Sequence, residues 1–159
     1  MNAVNQYPFD IVELKLLQNS AQQLNLPFLT PAAVLILLIP NPTEYLVVMT
    51  SRSSKVNHHT GEMSFPGGRF DQETDLTLKD TALRETCEEI GIGSENINII
   101  GVLDDLPTFS GYSIRPFVGI YTNSQEIQFN PNSNEVSAII QIPISYLLQE
   151  NLFHESSFF

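Results

Sequence analysis

The sequence "RETCEEIGI", residues 84–92, places Glu85, Glu88 and Glu89 close together in a chain that is already acidic. In a helix these positions are i, i+3 and i+4, so the three carboxylates would lie side by side over one turn. Their mutual repulsion destabilises the helix unless a positive group lies between them. Hard divalent cations such as Mg²⁺ prefer carboxylate oxygens. The stretch therefore predicts either a metal-binding face or an ordinary solvated acidic face.

The residues around this stretch predict the helix that carries it, "TLKDTALRETCEEIG". Apolar and small residues at helical spacing form its inner stripe: Leu78, Ala82, Leu83, Thr86 and Ile90. Gly91 is a suitable residue to end the helix. Cys87 is expected to be buried by packing, and its carboxylate neighbours argue against a nucleophilic role because they raise the pKa of a thiol.

Length and composition limit the classes of protein to which the chain can belong. We expect one domain over residues 1–159, long enough to bury about two-thirds of its unfolded surface. Eighteen acidic residues against seven lysines and arginines give a formal net charge of −11, which argues against nucleic acid or an anionic membrane as a partner. The one cysteine excludes an intrachain disulfide. This composition, with no signal-peptide pattern, predicts a cytoplasmic protein.

Strand and helix patterns along the rest of the chain predict a mixed sheet. An amphipathic helix is expected over residues 9–25. The runs "AAVLILLI" and "YLVVMTSR" are typical of a hairpin of buried strands, and residues 57–75 of a loop. Further strands are predicted at "INIIGVLDDL", "SIRPFVGIYT", "EIQF" and "EVSAIIQI", and a last helix at "ISYLLQE". The interleaving indicates the α/β (α+β) class, with helices on both faces of the sheet.

The order Gly-Gly, acidic loop and then "RETCEEIGI" resembles the signature of the Nudix hydrolases. The second half of that signature is Arg-Glu-U-x-Glu-Glu-x-Gly-U, where U is apolar, and it agrees here at Arg84, Glu85, Glu88, Glu89, Gly91 and Ile92. In the first half, Asp75 stands one position beyond the expected glutamate. The resemblance implies a Nudix-type α/β/α sandwich with a mixed β-sheet and a catalytic loop-helix-loop.

The extra spacing and the aspartate are similar to the coenzyme A pyrophosphatase-like branch of that family. Residues 50–68, "TSRSSKVNHHTGEMSFPGG", resemble a segment of that branch, with matches at Thr50, Arg52, Ser53, His59, Gly61, Phe65, Pro66, Gly67 and Gly68. Asn57 stands where the branch has a second basic residue. Members of the branch usually continue after the point where "ESSFF" ends this sequence, which raises the hypothesis of a truncated C-terminus.

The resemblance implies a site in which Mg²⁺ or Mn²⁺ lies over a diphosphate. Metal binding is expected from Glu85, Glu88, Glu89 and the carbonyl of Gly67, while either Glu85 or Glu89 could instead orient or deprotonate the attacking water. Arg84 is expected to pair with Asp75 or a neighbouring acid and to support the catalytic loop.

Basic residues near this site are candidates for contacts with substrate phosphate, namely Arg52, His59 and Arg69. The alternatives are a surface cap for Arg52 and a loop hydrogen bond for His59. Seven of the eighteen acidic residues lie between Asp71 and Glu89. Their field repels a bare anion, so bound metal would be needed before a diphosphate could enter. Asp104 and Asp105 are expected to be solvated loop acids, with metal ligation as the alternative.

The function predicted from these observations is metal-dependent hydrolysis of the diphosphate of coenzyme A or acyl-CoA. The products would be 3′,5′-ADP and 4′-phosphopantetheine or its acyl derivative. One alternative keeps the chemistry but changes the substrate to ADP-ribose, a dinucleotide or a nucleoside triphosphate. Another is a Nudix-fold binding module without catalysis. We expect a small nucleoside-diphosphate-linked partner, and either a monomer or a homodimer.

Overall fold

A computed structural model describes residues 20–53 and 61–149 of the chain. Most of the predicted helix over residues 9–25 lies outside these ranges, as do Asn57 and His59. The described residues form one mixed sheet, with a long helix on one face and a single helical turn on the other. The predicted mixed α/β (α+β) architecture is therefore confirmed.

The strands and helices follow the apolar runs of the sequence. The strands are β1 (Thr30–Pro40), β2 (Tyr45–Arg52), β3 (Met63–Ser64), β4 (Gly67–Arg69), β5 (Ile97–Val102), β6 (Leu106–Pro107), β7 (Tyr112–Tyr121) and β8 (Val136–Pro143). The helices are α1 (Leu78–Ile90) and α2 (Ile144–Leu147), and a 3₁₀ turn spans Ser94–Asn96. The short strands β3 and β4 lie in the region that was predicted to be a loop.

Strand β1 lies at the centre of the sheet. It pairs in parallel with β7 and antiparallel with β2 and β4, and the main strand order is β3-β2-β1-β7-β5. Both faces of β1 are covered, which explains its continuous apolar sequence. Leu35 and Leu37 face α1 in one core cluster, while Leu38 packs with Ile144 of α2 in the other.

Helix α1 begins and ends at residues suited to those positions. Thr77 accepts a hydrogen bond from the N–H of Asp80, and the Asp80 side chain accepts one from the N–H of Thr77, which completes a capping box. At the other end, Gly91 has φ 78°, a conformation that glycine adopts without steric cost. Among the described residues no helix is both long and apolar enough to cross a membrane.

The buried face of α1 confirms most of the predicted stripe, but the expectation for Cys87 was wrong. Ala82, Thr86 and Ile90 are buried, whereas Cys87 is exposed. Since successive helical residues are rotated by about 100°, the position after Thr86 turns out of the interface with the sheet. The Thr86 hydroxyl donates to the Ala82 carbonyl at 2.7 Å, so its burial leaves no polar group unpaired.

The segment before β1 differs from the prediction in residues 20–25, which have no regular secondary structure. Its backbone is instead bound by two acids that were predicted to be solvated. The N–H of Gln22 donates to Asp104 and that of Leu24 to Asp105, both at 2.8 Å. The Asp105 carboxylate is buried and also accepts two 2.7 Å hydrogen bonds from Arg115. Asp105 is thus a structural anchor of this segment.

The prediction of a strand at "EIQF" was also wrong, and so was the predicted length of the last helix. Residues 126–129 have no strand pairing; Ile127 and Phe129 pack against the core cluster, and the N–H of Asn130 bonds the carbonyl of Ile90 instead of a neighbouring strand. The last helix forms only the turn Ile144–Leu147.

Candidate active site

The glutamate face of α1 lies beside two glycines of β4. Strand β4 is held by β1, with Gly68 opposite Ala33 and Gly67 opposite Val34. A Cβ on Gly68 would lie 2.5 Å from the carboxylate carbon of Glu85, and one on Gly67 would collide with the carbonyl oxygen of Ala33. Gly67 therefore needs glycine, because a side chain there would separate β4 from β1, whereas a side chain at position 68 would displace the flexible end of Glu85.

Arg84 connects the loop before α1 to the carboxylates on the helix. Its Nε and Nη2 donate to the two oxygens of Asp75 at 2.8 and 2.9 Å. Its Nη1 donates to Glu85 at 2.8 Å and to Glu88 at 3.2 Å. The predicted pairing of Arg84 with Asp75 is confirmed. The two parallel bonds to Asp75 have the bidentate geometry that makes arginine–carboxylate pairs strong and well oriented.

Asp75 is the buried end of this connection, with 1% of its side chain exposed. Besides Arg84, it accepts hydrogen bonds from the Thr81 hydroxyl at 2.8 Å and from the N–H of Asp71 at 3.0 Å. The Arg84 guanidinium is the main cause that holds the pKa of Asp75 well below its usual range. The aspartate therefore remains charged at neutral pH and fixes the loop to the helix.

The three glutamates have different environments. The side chain of Glu88 is 55% exposed, and that of Glu85 is 17% exposed. Glu89 is half-buried and accepts a long, 3.4 Å hydrogen bond from the N–H of Gly67. Burial is the main cause that raises the pKa of Glu89 to about 7, and burial also raises the pKa of Glu85.

In the part of the chain that the structure describes, no three acidic, histidine or cysteine side chains converge as metal ligands do. Glu85 and Glu88 bond Arg84, while Glu89 faces Gly67. The donor set nevertheless suits a hard cation. It consists of carboxylate oxygens, those of Glu85 and Glu89 being partly withdrawn from water, beside a backbone that Gly68 leaves open.

The predicted substrate-binding residues are placed in part. Arg52 is exposed at the end of β2, and its positive charge lowers the pKa of Glu89, so it lies within electrostatic reach of the glutamates. Arg69 is exposed at the end of β4, and its carbonyl accepts a 3.4 Å hydrogen bond from Arg84. His59 lies outside the described residues.

Glu135 is a residue of this region that the sequence interpretation missed. It lies immediately before β8, and its negative charge contributes to the raised pKa of both Glu85 and Glu89. The pairing of β8 with β2 and the backbone bonds from Asn130 and Asn132 to the end of α1 bring it to the site, and no local pattern in "NPNSNEV" indicates either.

A mixed sheet with helices on both faces, and a carboxylate-bearing helix packed against a glycine pair, defines the class of Nudix domains. Residues 29–156 match the family model described as NUDIX domain. The chain therefore belongs to the Nudix family.

Two bacterial relatives are similar in sequence. A protein of Pectobacterium atrosepticum named uncharacterized Nudix hydrolase NudL is 40% identical over 113 residues, which cover 71% of this chain and 57% of the relative. A NudL protein of Klebsiella pneumoniae is 36% identical over 123 residues, covering 77% of this chain and 62% of the relative. The chain thus spans about three-fifths of the length of these relatives.

Solved structures support the fold alone. An Ap4A hydrolase of C. elegans in a binary complex superposes with a TM-score of 0.58 at 20% identity, covering 72% of this chain and 80% of that one. The NUDIX domain of Shewanella oneidensis NrtR, complexed with ADP ribose, has a TM-score of 0.55 at 17% identity, covering 82% and 79%.

Proposed function

We propose that the chain is a metal-dependent pyrophosphohydrolase that cleaves the diphosphate linkage of coenzyme A or acyl-CoA. The products are 3′,5′-ADP and 4′-phosphopantetheine or its acyl derivative. The observation that carries the proposal is the packing of Glu85 and Glu89 against the glycine pair of β4. It gathers partly buried carboxylates beside open backbone, where a cation and a diphosphate can meet.

Glu85, Glu88, Glu89 and the carbonyl of Gly67 would hold the metal, Mg²⁺ or Mn²⁺. When bound, the metal supplies Lewis acidity at phosphoryl oxygens and makes water more acidic. Its charge also offsets the field of the acidic residues around it, which an anionic substrate would otherwise have to overcome.

The residues of the chain divide the remaining tasks. Arg84 keeps the loop before α1 aligned with the glutamates through Asp75, so its role is support of the catalytic geometry. Either Glu85 or Glu89 orients or deprotonates the attacking water. Arg52, His59 and Arg69 contact phosphate oxygens. The raised pKa of Glu89, about 7, suits proton exchange at neutral pH.

The choice of coenzyme A rests on residues 50–68, which resemble the coenzyme A pyrophosphatase-like branch. The last two residues of this segment, Gly67 and Gly68, lie beside the glutamates of α1. Thr50 is buried and its hydroxyl lies 3.3 Å from the carbonyl of Ser64, which places β3 against β2. Arg52 follows two positions later and lies within electrostatic reach of Glu89. We propose that the protein acts in the cytoplasm, as a monomer or homodimer.

Two other functions are consistent with the fold. Hydrolysis of ADP-ribose or a dinucleotide is the first; among proteins of the same fold, one is an Ap4A hydrolase and another was crystallised with ADP ribose. A binding module without catalysis is the second. The presence of all three helix glutamates favours catalysis over this last function.

A substrate panel tests the proposal. Purified protein with Mg²⁺ or Mn²⁺ is incubated with coenzyme A, acetyl-CoA, ADP-ribose, diadenosine tetraphosphate and a nucleoside triphosphate, and the products are identified by chromatography and mass spectrometry. We expect 3′,5′-ADP from the coenzyme A substrates. Faster turnover of ADP-ribose than of coenzyme A would replace the proposed substrate.

Glu88→Gln tests whether the helix glutamates carry the chemistry. We expect this variant to lose metal-dependent hydrolysis while keeping its fold, because the Glu88 side chain is largely exposed. Glu95→Gln is the control, since Glu95 is exposed on the 3₁₀ turn and bonds only the neighbouring Asn96 among the described residues. Unchanged turnover in Glu88→Gln would show that the metal assignment is wrong.

A further inference from the structure

The face of the sheet that packs on α1 extends beyond the helix. Gln141 of β8 lies opposite Val48 of β2, and both point to this face. Ile139, two residues earlier on the same face, packs against the core cluster that contains Ile90 of α1, whereas Gln141 is exposed. In the described part of the chain, this face is therefore open near the turn between β1 and β2.

The open end of the sheet forms a cleft of about 760 Å³, which we call the hairpin cleft. It lies between the turn that joins β1 to β2 and the segment that follows β7. Its apolar lining includes Ile39, Leu46 and Phe129, which belong to the core cluster or pack against it. Sites for small molecules have volumes of about 300–1,000 Å³ and mostly apolar linings, so the cleft has the size of a ligand site.

Side-chain amides form much of the polar lining of the hairpin cleft, from Asn41, Asn123, Gln125 and Gln141. Those of Gln125 and Gln141 make no hydrogen bond to another described residue, and each can both donate and accept. The lining contains no lysine, arginine or histidine and a single acid, Glu126. In a chain with a net charge of −11, such a cleft repels phosphate. It suits an uncharged ligand with amide groups and an apolar end.

The hairpin cleft lies on the same side of the sheet as the glutamates of α1, and its distance from them fits one part of coenzyme A. Gly67, beside Glu89, lies opposite Val34 of β1, and Ile39 borders the cleft five residues further along that strand, a separation of roughly 17 Å. The pantetheine arm has two amides, and its length equals about four residues of extended chain, or roughly 14 Å. The arm and an acyl group on its sulfur can therefore extend from the diphosphate into the cleft.

We propose that the hairpin cleft binds the outer part of the pantetheine arm and the acyl chain of an acyl-CoA. This inference rests on the proposed function, because it requires the diphosphate to lie at the glutamates. The charged ADP half then lies on the side of Arg52 and Arg69, neither of which lines the cleft. The apolar lining favours acylated over free coenzyme A, since it removes the acyl chain from water.

Binding of S-octanoyl-pantetheine, which has no phosphate, tests the cleft in the full chain without metal or reaction. Gln141→Trp and Gln125→Trp each place a large ring at the cleft, and calorimetry compares them with the wild type. Gln128→Trp is the matched control, because Gln128 is exposed in the same segment as Gln125 but does not line the cleft. We expect both cleft variants to bind about tenfold more weakly or worse, and Gln128→Trp to bind like the wild type.

Kinetics with Mn²⁺ separate this inference from the proposed function. In Gln141→Trp we expect KM for octanoyl-CoA to rise about tenfold with kcat, Mn²⁺ affinity and Tm close to those of the wild type, because Gln141 is exposed and distant from the glutamates. No binding of S-octanoyl-pantetheine by the wild type, or equal affinity in the cleft variants and the control, would overturn the inference even if coenzyme A were hydrolysed. Binding that the cleft variants lose, without hydrolysis of any coenzyme A substrate, would refute the proposed function and leave the cleft as a pantetheine site.

Discussion

Replacement of Asp75 by asparagine tests the connection between the catalytic loop and α1. The substitution preserves the size of the side chain but removes its charge. The asparagine oxygen can still accept hydrogen bonds from Thr81 and Asp71 in place of Oδ2. The amide nitrogen then faces the Nε of Arg84, where the wild type has a 2.8 Å charge-assisted bond. Two donors oppose each other at a site that is almost fully buried.

The magnitude follows from the contacts that are lost. Hydrogen bonds between charged groups contribute about 1.5–3 kcal/mol each, and breaking a buried ion pair from one side costs about 3–5 kcal/mol. Arg84 is 24% exposed and keeps its bonds to Glu85 and Glu88, which favours the lower end of this range. We expect Asp75→Asn to lower the free energy of unfolding by about 3 kcal/mol and Tm by about 6–12 °C.

Urea denaturation at several pH values provides the measurement. The pKa of Asp75 is lower in the folded chain than in the unfolded chain, so its stabilisation is present above the unfolded pKa, about 4, and is lost as pH falls below it. The difference between the wild type and Asp75→Asn should therefore be largest near pH 7 and shrink below pH ~4. Asp71→Asn is the control, because it is the same substitution at an exposed position of the same loop. Equal effects of the two substitutions, or a difference that does not depend on pH, would refute this reasoning.

Three further predictions follow from the site and its surroundings. Because the pKa of Glu89 is about 7, Mn²⁺ affinity should rise about tenfold per pH unit below 7 and level off above it; a flat profile from pH 5.5 to 8 would contradict its role as a ligand. Gly68→Ala should displace the Glu85 carboxylate and weaken Mn²⁺ binding about tenfold. The free energy of unfolding, measured by calorimetry, should fall by less than about 1 kcal/mol, because that carboxylate ends a flexible side chain. Unchanged Mn²⁺ affinity would mean that Glu85 can move aside without losing its contact with the metal. Asp105→Asn should lower the free energy of unfolding, measured in urea, by about 3 kcal/mol, because it removes the charged partner of Arg115. Mn²⁺ affinity should not change, and reduced affinity would link this ion pair to the metal site.

The parts of the fold that were predictable are those that local sequence determines. The apolar runs of β1 and β2 specify buried strands, and Thr77 and Gly91 specify the ends of α1. The strands β3 and β4 are only two and three residues long, so they exist through pairing with β2 and β1 and carry no periodicity of their own. The segment "EIQF" has the alternating pattern of a strand but forms none, because its apolar residues pack on the core while its backbone pairs with no strand.

In the candidate site, too, the contacts between residues close in sequence were predictable and those between distant residues were not. The pair of Arg84 and Asp75 could be predicted because charge and spacing near one helix limit the partners of Arg84. Glu135 could not, because it reaches the glutamates through the pairing of β8 with β2 and through two backbone bonds to the end of α1. The ion pair of Asp105 could not be predicted either, because its partner Arg115 lies on a neighbouring strand and no rule of spacing connects the two.

The distribution of charge along α1 explains why a cation is favoured at one end of the glutamate face. Arg84 carries one positive charge and contacts three carboxylates, those of Asp75, Glu85 and Glu88. Glu89 is in the last turn, where the helix dipole is negative, and that turn has no basic residue. Repulsion therefore accumulates at the C-terminal end of the helix, beside Gly67. A divalent cation bound there would relieve that repulsion at Glu89, which is not hydrogen-bonded to Arg84. The bonds between Arg84 and Asp75 would meanwhile keep the loop in place.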